Sequence, residues 1–374
     1  MRVIVAIENN DPLAAIRGFL ERLLKAGVVD ALLVPIEAQA GSVTPMLVAD
    51  PDRLDAANPL APVMGINAAR VVSRVTAHES QARIGAVLRP CELRALVELV
   101  KLKQVRSENL LTIGVDCAGT YDVPDYAAKT QKAKTSRARD RLWLDLYDSL
   151  STDPSVSNPA LRDACQMCER PHVEGADVTI ELFGADMSVG VPVTLPDEIA
   201  ETLGVSPMAD DRARATLIEE VVAERTQVRD VRFEEMQQRL DEEGVEGVFA
   251  ACVRCHNCMT VCPICYCKTC LFQSPLYEHE PMQYVHWAQS KGAYRLLADT
   301  MLFHLTRLNH MVLSCVGCGM CTSDCPAGLP VGLVFRTVGH EVQQAFDYTP
   351  GCDIGEPLPL VTFREDEWMG TGEE

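Results

Sequence analysis

Cys252-Val253-Arg254-Cys255-His256-Asn257-Cys258-Met259-Thr260-Val261-Cys262-Pro263 and Cys315-Val316-Gly317-Cys318-Gly319-Met320-Cys321-Thr322-Ser323-Asp324-Cys325-Pro326 are two copies of one spacing, C-x-x-C-x-x-C-x-x-x-C-P. Three cysteines at three-residue intervals wrap a tight loop around three corners of a cubane. The fourth, followed by proline, points away and reaches a neighbouring cubane. The doubled run therefore implies two [4Fe–4S] clusters with exchanged fourth ligands. Cys252, Cys255, Cys258 and Cys325 fall to one cluster, and Cys315, Cys318, Cys321 and Cys262 to the other. Zinc also takes C-x-x-C pairs, but it needs only four of these eight residues and gives no reason for a repeated proline-terminated run.

The rest of the chain sets the context. It has 374 residues, net charge −19, 47% hydrophobic residues and 16 cysteines. That length allows two or three domains. The acidic balance argues against nucleic acid and anionic membrane surfaces as partners. The apolar start, Met1 to Ile7, is too short for a secretory h-region, and no apolar run approaches a transmembrane length. Cysteines in such number, without an export signal, indicate a reducing cytoplasmic compartment and metal use rather than a disulfide framework.

Working back toward the N-terminus, residues 1–7, Val29 to Pro35, Ile84 to Leu88 and Leu110 to Val115 read as strands. Helices are expected over residues 11–26, from Asn67 to Val75, and over about 92–104. Strands alternating with helices give an α/β fold with a mostly parallel sheet. Further β-like segments lie around 177–183 and 189–194. A long charged amphipathic helix is expected over 211–243, with Leu217, Val221, Val222, Val228, Val231, Phe233, Met236 and Leu240 on its apolar positions. Helices near 282–308 and 332–346 belong to the cysteine-rich part, an α-helical and loop dicluster unit. The expected domains are 1–200, the α/β unit with one cluster; 201–245, a helical linker; 246–346, the dicluster unit; and 347–374, an extended tail. The basic stretch Lys129, Lys132, Lys134, Arg137, Arg139 and Arg141 reads first as a solvated loop and helix face, and alternatively as a docking patch for an acidic partner or a phosphate.

A third cysteine group lies in the α/β part. Cys91 follows one strand in Leu88-Arg89-Pro90-Cys91-Glu92. Cys117 follows another in Gly114-Val115-Asp116-Cys117-Ala118-Gly119-Thr120. Cys165-Gln166-Met167-Cys168 comes later. If the two strands are parallel neighbours, Cys91 and Cys117 share the sheet edge where such folds bind ligands. Spacing alone also allows these to be buried free thiols.

The same motifs, with Val29-Asp30-Ala31-Leu32-Leu33-Val34-Pro35, Gly65-Ile66-Asn67-Ala68-Ala69-Arg70-Val71-Val72 and Ala164-Cys165-Gln166-Met167-Cys168-Glu169, resemble the beta subunits of coenzyme F420-dependent formate dehydrogenase and F420-reducing hydrogenase. The resemblance implies a third [4Fe–4S] cluster on Cys91, Cys117, Cys165 and Cys168, beside FAD. Gly65, Asn67, Gly119 and Thr120 are the implied flavin-side residues. It also implies a catalytic dehydrogenase or hydrogenase partner and further electron-transfer subunits in a hetero-oligomer working anaerobically. In such a complex this subunit would pass electrons between the catalytic partner and a flavin, F420 or ferredoxin-type carrier.

Where that family carries a C-G-G-x-x-T-like entry, this chain has Asn9-Asn10-Asp11-Pro12-Leu13. It lacks the glycines that let a backbone approach a pyrophosphate. The alternative reading is therefore a flavin-free relay between a dehydrogenase and a heterodisulfide reductase-like or sulfite reductase-like complex. The dicluster region, with its Cys262-Pro263-Ile264-Cys265-Tyr266-Cys267 continuation, is also similar to the dicluster regions of anaerobic sulfite reductases and of sulfhydrogenase beta subunits.

Cys265, Cys267, Cys270 and Cys352 are left as packing residues, replacement ligands or a further metal set. His256 and His310 read as neighbours of clusters rather than ligands. Met259, Met311 and Met320 read as packing, and Glu92 and Asp116 as charges flanking Cys91 and Cys117. No G-x-G-x-x-G opens a helix after a strand, and no Walker A run is present.

Overall fold

Val and Ile runs at the centre of the α/β part build a seven-stranded sheet. The computed structural model describes residues 1–7, 11–38, 41–133, 135–154, 158–207, 212–294 and 299–359. The strands are β1 Arg2–Ala6, β2 Ala31–Glu37, β3 Val43–Val48, β4 Ile84–Leu88, β5 Leu110–Val115, β6 Val178–Ile180 and β7 Gly190–Thr194, in the spatial order β1-β7-β6-β5-β4-β2-β3. The central pairs β2–β4, β4–β5 and β5–β6 are parallel, while β3, β7 and β1 add antiparallel edges. β4 is buried along its whole length, as a parallel strand covered on both faces must be.

The helices of the α/β part are α1 Pro12–Lys25, α2 Ala68–Val75, α3 Pro90–Lys101, α4 Val123–Lys132, α5 Ser136–Thr152, α6 Asp163–Gln166 and α7 Asp197–Leu203. Those that follow are α8 Arg212–Val248, α9 Asn257–Thr260, α10 Pro281–Lys291, α11 Thr300–Met311, α12 Met320–Ser323 and α13 Val331–Ala345. The single helix expected over 282–308 is two helices. α10 ends at Gly292, whose φ of 78° only glycine adopts cheaply. The basic stretch falls on α4 and α5, where Arg139 pairs with Glu37, Arg141 reaches Asp145 and Lys129 lies over Tyr121. Lys134 and the side chain of Arg137 lie outside the described residues, as do Asn9 and Asn10.

One sheet face packs on α1, α5 and α7 through Ile16, Phe19, Leu20, Trp143 and Leu146. The other face carries α2 and α3, and its core runs without a break into the cysteine-rich part. Leu33, Ala69, Leu96 and Leu99 share one cluster with Phe249, Met259, Ile264, Phe303 and Phe335. Each fully buried leucine or phenylalanine there contributes about 1.5–3 kcal/mol.

α8 lies along both parts. Its inward positions Leu217, Val221, Phe233 and Met236 are buried, whereas Val231 faces solvent. Gly244, with φ 67° and ψ 169°, kinks it before the first cysteine run. The expected extended tail is instead tied down as far as residue 359. Glu98 of α3, fully buried, accepts from Tyr348 Oη (2.6 Å) and from the Gly351 amide (2.8 Å). Residues 360–374 lie outside the described ones. Among the described residues no helix is long and apolar enough to cross a membrane.

Candidate iron–sulfur sites

The register of β4 on β5 pairs Leu88 with Gly114. Cys91 and Cys117 each follow three residues later, so the two strands deliver them to the same edge. Cys91 is held by a helix start. Pro90 supplies the fixed φ that suits a first turn, and Glu92 accepts from the Arg89 amide (2.9 Å) while capping α2 through the Ala68 amide (3.0 Å). Cys117 is held through its neighbour. The Asp116 carboxylate accepts from the amides of Val173, Leu182 and Phe183 at 2.9–3.3 Å and pairs with Arg214 of α8. Both acids are thus buried framework rather than solvated charges. We expect Asp116→Ala, which leaves three amides unpaired and Arg214 with only Glu181, among the described residues, as counter-charge, to destabilise the protein by about 3 kcal/mol, measured as a fall in Tm.

Cys165 and Cys168 arrive on α6 and the turn after it. Cys91, Cys117, Cys165 and Cys168 line one small cavity, together with Gly119, Thr120, Arg89, Arg162, Arg225 and, from the second cysteine run, Cys318. The Thr120 hydroxyl is 3.3 Å from Cys165 Sγ, and Arg162 donates to both Thr120 Oγ1 (2.8 Å) and Cys165 Sγ (3.6 Å). Burial pushes the Cys117 thiol up to about 11 and Cys91 well above its ordinary value. At Cys165 burial acts the same way, but Arg162 and Thr120 outweigh it and the thiol sits lower than usual. Of the implied flavin-side residues, Gly119 and Thr120 face this cavity. Asn67 is buried as the cap of α2 and Gly65 is exposed, and neither lines the cavity.

In the cysteine-rich part, Cys252, Cys255, Cys258 and Cys325 line a second small cavity with His256, Phe303 and His304. Cys262 instead acts electrostatically on Cys315, Cys318 and Cys321, where burial raises all three thiols, Cys318 to about 12. Cys325 thus lies with the first run's trio.

The two runs share a backbone. Arg254 and His256 in the first, and Gly317 and Gly319 in the second, all have φ between 55° and 72°. This turns amides toward sulfur, as from Arg254 N to Cys252 Sγ (3.4 Å). The first run holds non-glycine residues there at about 1–2 kcal/mol each. In the second, a Cβ on Gly319 would collide with Ala164, whereas one on Gly317 would have to displace the Arg336 side chain. We expect Gly319→Ala to cost about 1–3 kcal/mol for overlap beyond its strain and to loosen the Cys165–Cys168 loop, measured as a fall in Tm.

His304 was not visible in the sequence. It stacks on Phe249 (centroids 3.8 Å apart) with Nε2 3.3 Å from Cys252 Sγ, and burial, helped by Arg307, lowers it to about 4, so it is neutral. Arg307 donates to Cys258 Sγ (3.1 Å), and its buried Nε has no partner. His256 lines the cavity, while His310 is exposed. Cys265 interacts with Cys262, Cys267 and Cys270, and Cys270 Sγ is 3.7 Å from Met259 Sδ. Cys352 lies beside Arg94. Among the described residues no three His, Cys, Asp or Glu side chains are close enough to hold a single metal ion. Four sulfurs around a cavity, with a guanidinium aimed at them, suit a larger anionic group such as a cluster.

Residues 249–329 match the 4Fe-4S dicluster domain family. Along the chain, 306 aligned residues are 22% identical to the F420-dependent formate dehydrogenase subunit beta of Methanocaldococcus jannaschii, covering 75% of this chain and 77% of that one. The F420-dependent formate dehydrogenase 1 subunit beta of Methanococcus maripaludis is 22% identical over 95% of this chain and 94% of its own length. The chain is thus a relative, over most of its length, of F420-dependent formate dehydrogenase beta subunits, with a 4Fe-4S dicluster domain in its C-terminal part.

Proposed function

We propose that this chain is the electron-conducting subunit of a cytoplasmic formate dehydrogenase-like complex, holding three [4Fe–4S] clusters in a row. Cys252, Cys255, Cys258 and Cys325 hold the outer one, Cys315, Cys318, Cys321 and Cys262 the middle one, and Cys91, Cys117, Cys165 and Cys168 the inner one. The observation that carries this reading is Cys318, which belongs to the second run yet lines the cavity of the N-terminal cysteines. Clusters of this class carry single electrons at potentials set by their surroundings. The protein's own contribution is to fix the cysteines and supply hydrogen bonds to sulfur. A separate catalytic subunit would act on formate. Electrons from it would enter at the outer site, where Cys255 is exposed, and leave at the inner one.

Oxygen-free purification tests this. We expect about twelve irons and as many acid-labile sulfides per chain, as three [4Fe–4S] clusters require, and co-purification of a larger dehydrogenase subunit. An iron content near four or less overturns the row. Acid release of FAD decides the terminal acceptor. Near-stoichiometric FAD supports a flavin as acceptor; none supports the flavin-free relay. That relay draws on the Thr120 hydroxyl, which is already engaged by Arg162 and Cys165.

A further inference from the structure

The arginines buried among the described residues are Arg89, Arg162, Arg225 and Arg307. All four stand at the cysteine cavities, in a chain whose net charge is −19. Arg89 faces Glu92 and donates to the carbonyls of Ala61 and Val63. Arg225 donates to the carbonyl of Ala118. Arg162 and Arg307 differ from these, because each donates to a cysteine sulfur. Among the described residues neither belongs to an ion pair with a carboxylate, unlike Arg214, Arg229 and Arg336.

Arg307 is the more enclosed of the two, at 3% exposure. It lies between the rings of Phe303 and Phe335, 5.5 and 5.0 Å from their centroids. Its Nη1 reaches Cys258 Sγ at 3.1 Å and Nη2 the Cys258 carbonyl at 3.0 Å, while Nε is left without an acceptor. Its charge acts on Cys258 of one cysteine set and on Cys262 and Cys321 of the other. A buried cation with no counter-charge is strongly unfavourable. The group that can balance this one is a cluster with its four thiolates, which is net negative and becomes one unit more negative when it takes up an electron. A fixed positive charge therefore favours the reduced form. Net charge and hydrogen bonds to sulfur are the levers that set such potentials.

We propose that Arg307 is the shared counter-charge of the two C-terminal clusters and raises the reduction potential of both, leaving the N-terminal cluster to Arg162. This rests on the reading that the three cysteine sets hold [4Fe–4S] clusters. It gives Arg307 a positioning and tuning role rather than a ligand's.

The test uses the full chain, purified without oxygen and titrated with dithionite at controlled potential, with reduced clusters followed by EPR. The N-terminal signal is identified by its loss in Cys91→Ala. In Arg307→Met, with iron and sulfide at the wild-type level, both C-terminal clusters should be harder to reduce by at least tenfold in equilibrium constant, about 59 mV for a one-electron couple. The N-terminal cluster should not move. Arg307→Lys, which keeps the charge, should hold all its iron and stay within threefold of wild type. The proposal is overturned if Arg307→Met keeps its iron with potentials within threefold of wild type. It is equally overturned if Arg307→Lys falls by tenfold, a result that applies even where the methionine variant loses iron. A wild-type protein without iron would instead remove the underlying reading of the cysteines.

Discussion

Cys91→Ala will leave the protein with two clusters instead of three, and iron will drop from about twelve to about eight per chain, one [4Fe–4S] unit. Cys91 is the sole cysteine that β4 brings to the sheet edge, and the start of α3 fixes it there. Glu92 ties that start to both Arg89 and Ala68. Alanine keeps the helix and its cap, so folding should survive. The surrounding sulfurs cannot compensate without breaking other sites: Cys117 is anchored by its amide to the Pro171 carbonyl, and Cys318 serves the second run's trio. The two C-terminal clusters should still take up electrons from dithionite, while delivery to any acceptor at the N-terminal end should fall to background. An unchanged iron count in this variant would rule out the N-terminal assignment.

Cys325→Ser gives the second large effect, and its informative part is which cluster disappears. In the chain Cys325 belongs to the run that begins at Cys315. In space it lines the cavity of Cys252, Cys255 and Cys258. The EPR spectrum of Cys325→Ser should therefore match that of Cys255→Ala and differ from that of Cys318→Ala. Cys262→Ser should match Cys318→Ala. If each serine variant instead matches loss of its own run's cluster, the exchange of fourth ligands is wrong, although the iron count would be the same.

How far the sequence could be read depends on how local each signal is. β4 and β5 were legible to the residue, because β-branched runs between polar turns specify buried parallel strands. Their equal offsets to Cys91 and Cys117 followed from the same pattern. β3 was not visible. It is an edge strand carrying Pro45, with alternate residues in solvent, and proline within a run argues against a strand unless the strand is an edge. Val231 fits the apolar period of α8 yet faces water, since the helix needs only one narrow stripe to lie on α13 and the Cys165 loop. The buried arginines were out of reach altogether. The contact of Arg307 with Cys258 spans 49 residues and that of Arg162 with Met320 spans 158, and nothing in a neighbouring stretch distinguishes a buried arginine from a solvated one.

The unbroken core beneath α3 has a mechanical result. Because Leu96 and Leu99 pack in the same interior as Met259 and Phe335, one continuous core joins the N-terminal cysteine set to the two C-terminal runs, and in the proposed row the gaps that an electron would cross are set by hydrocarbon contact rather than by a tether. Any gating by a docking protein would then act at the ends of that proposed row. Severing the chain within the long helix should yield two insoluble pieces instead of two working half-wires.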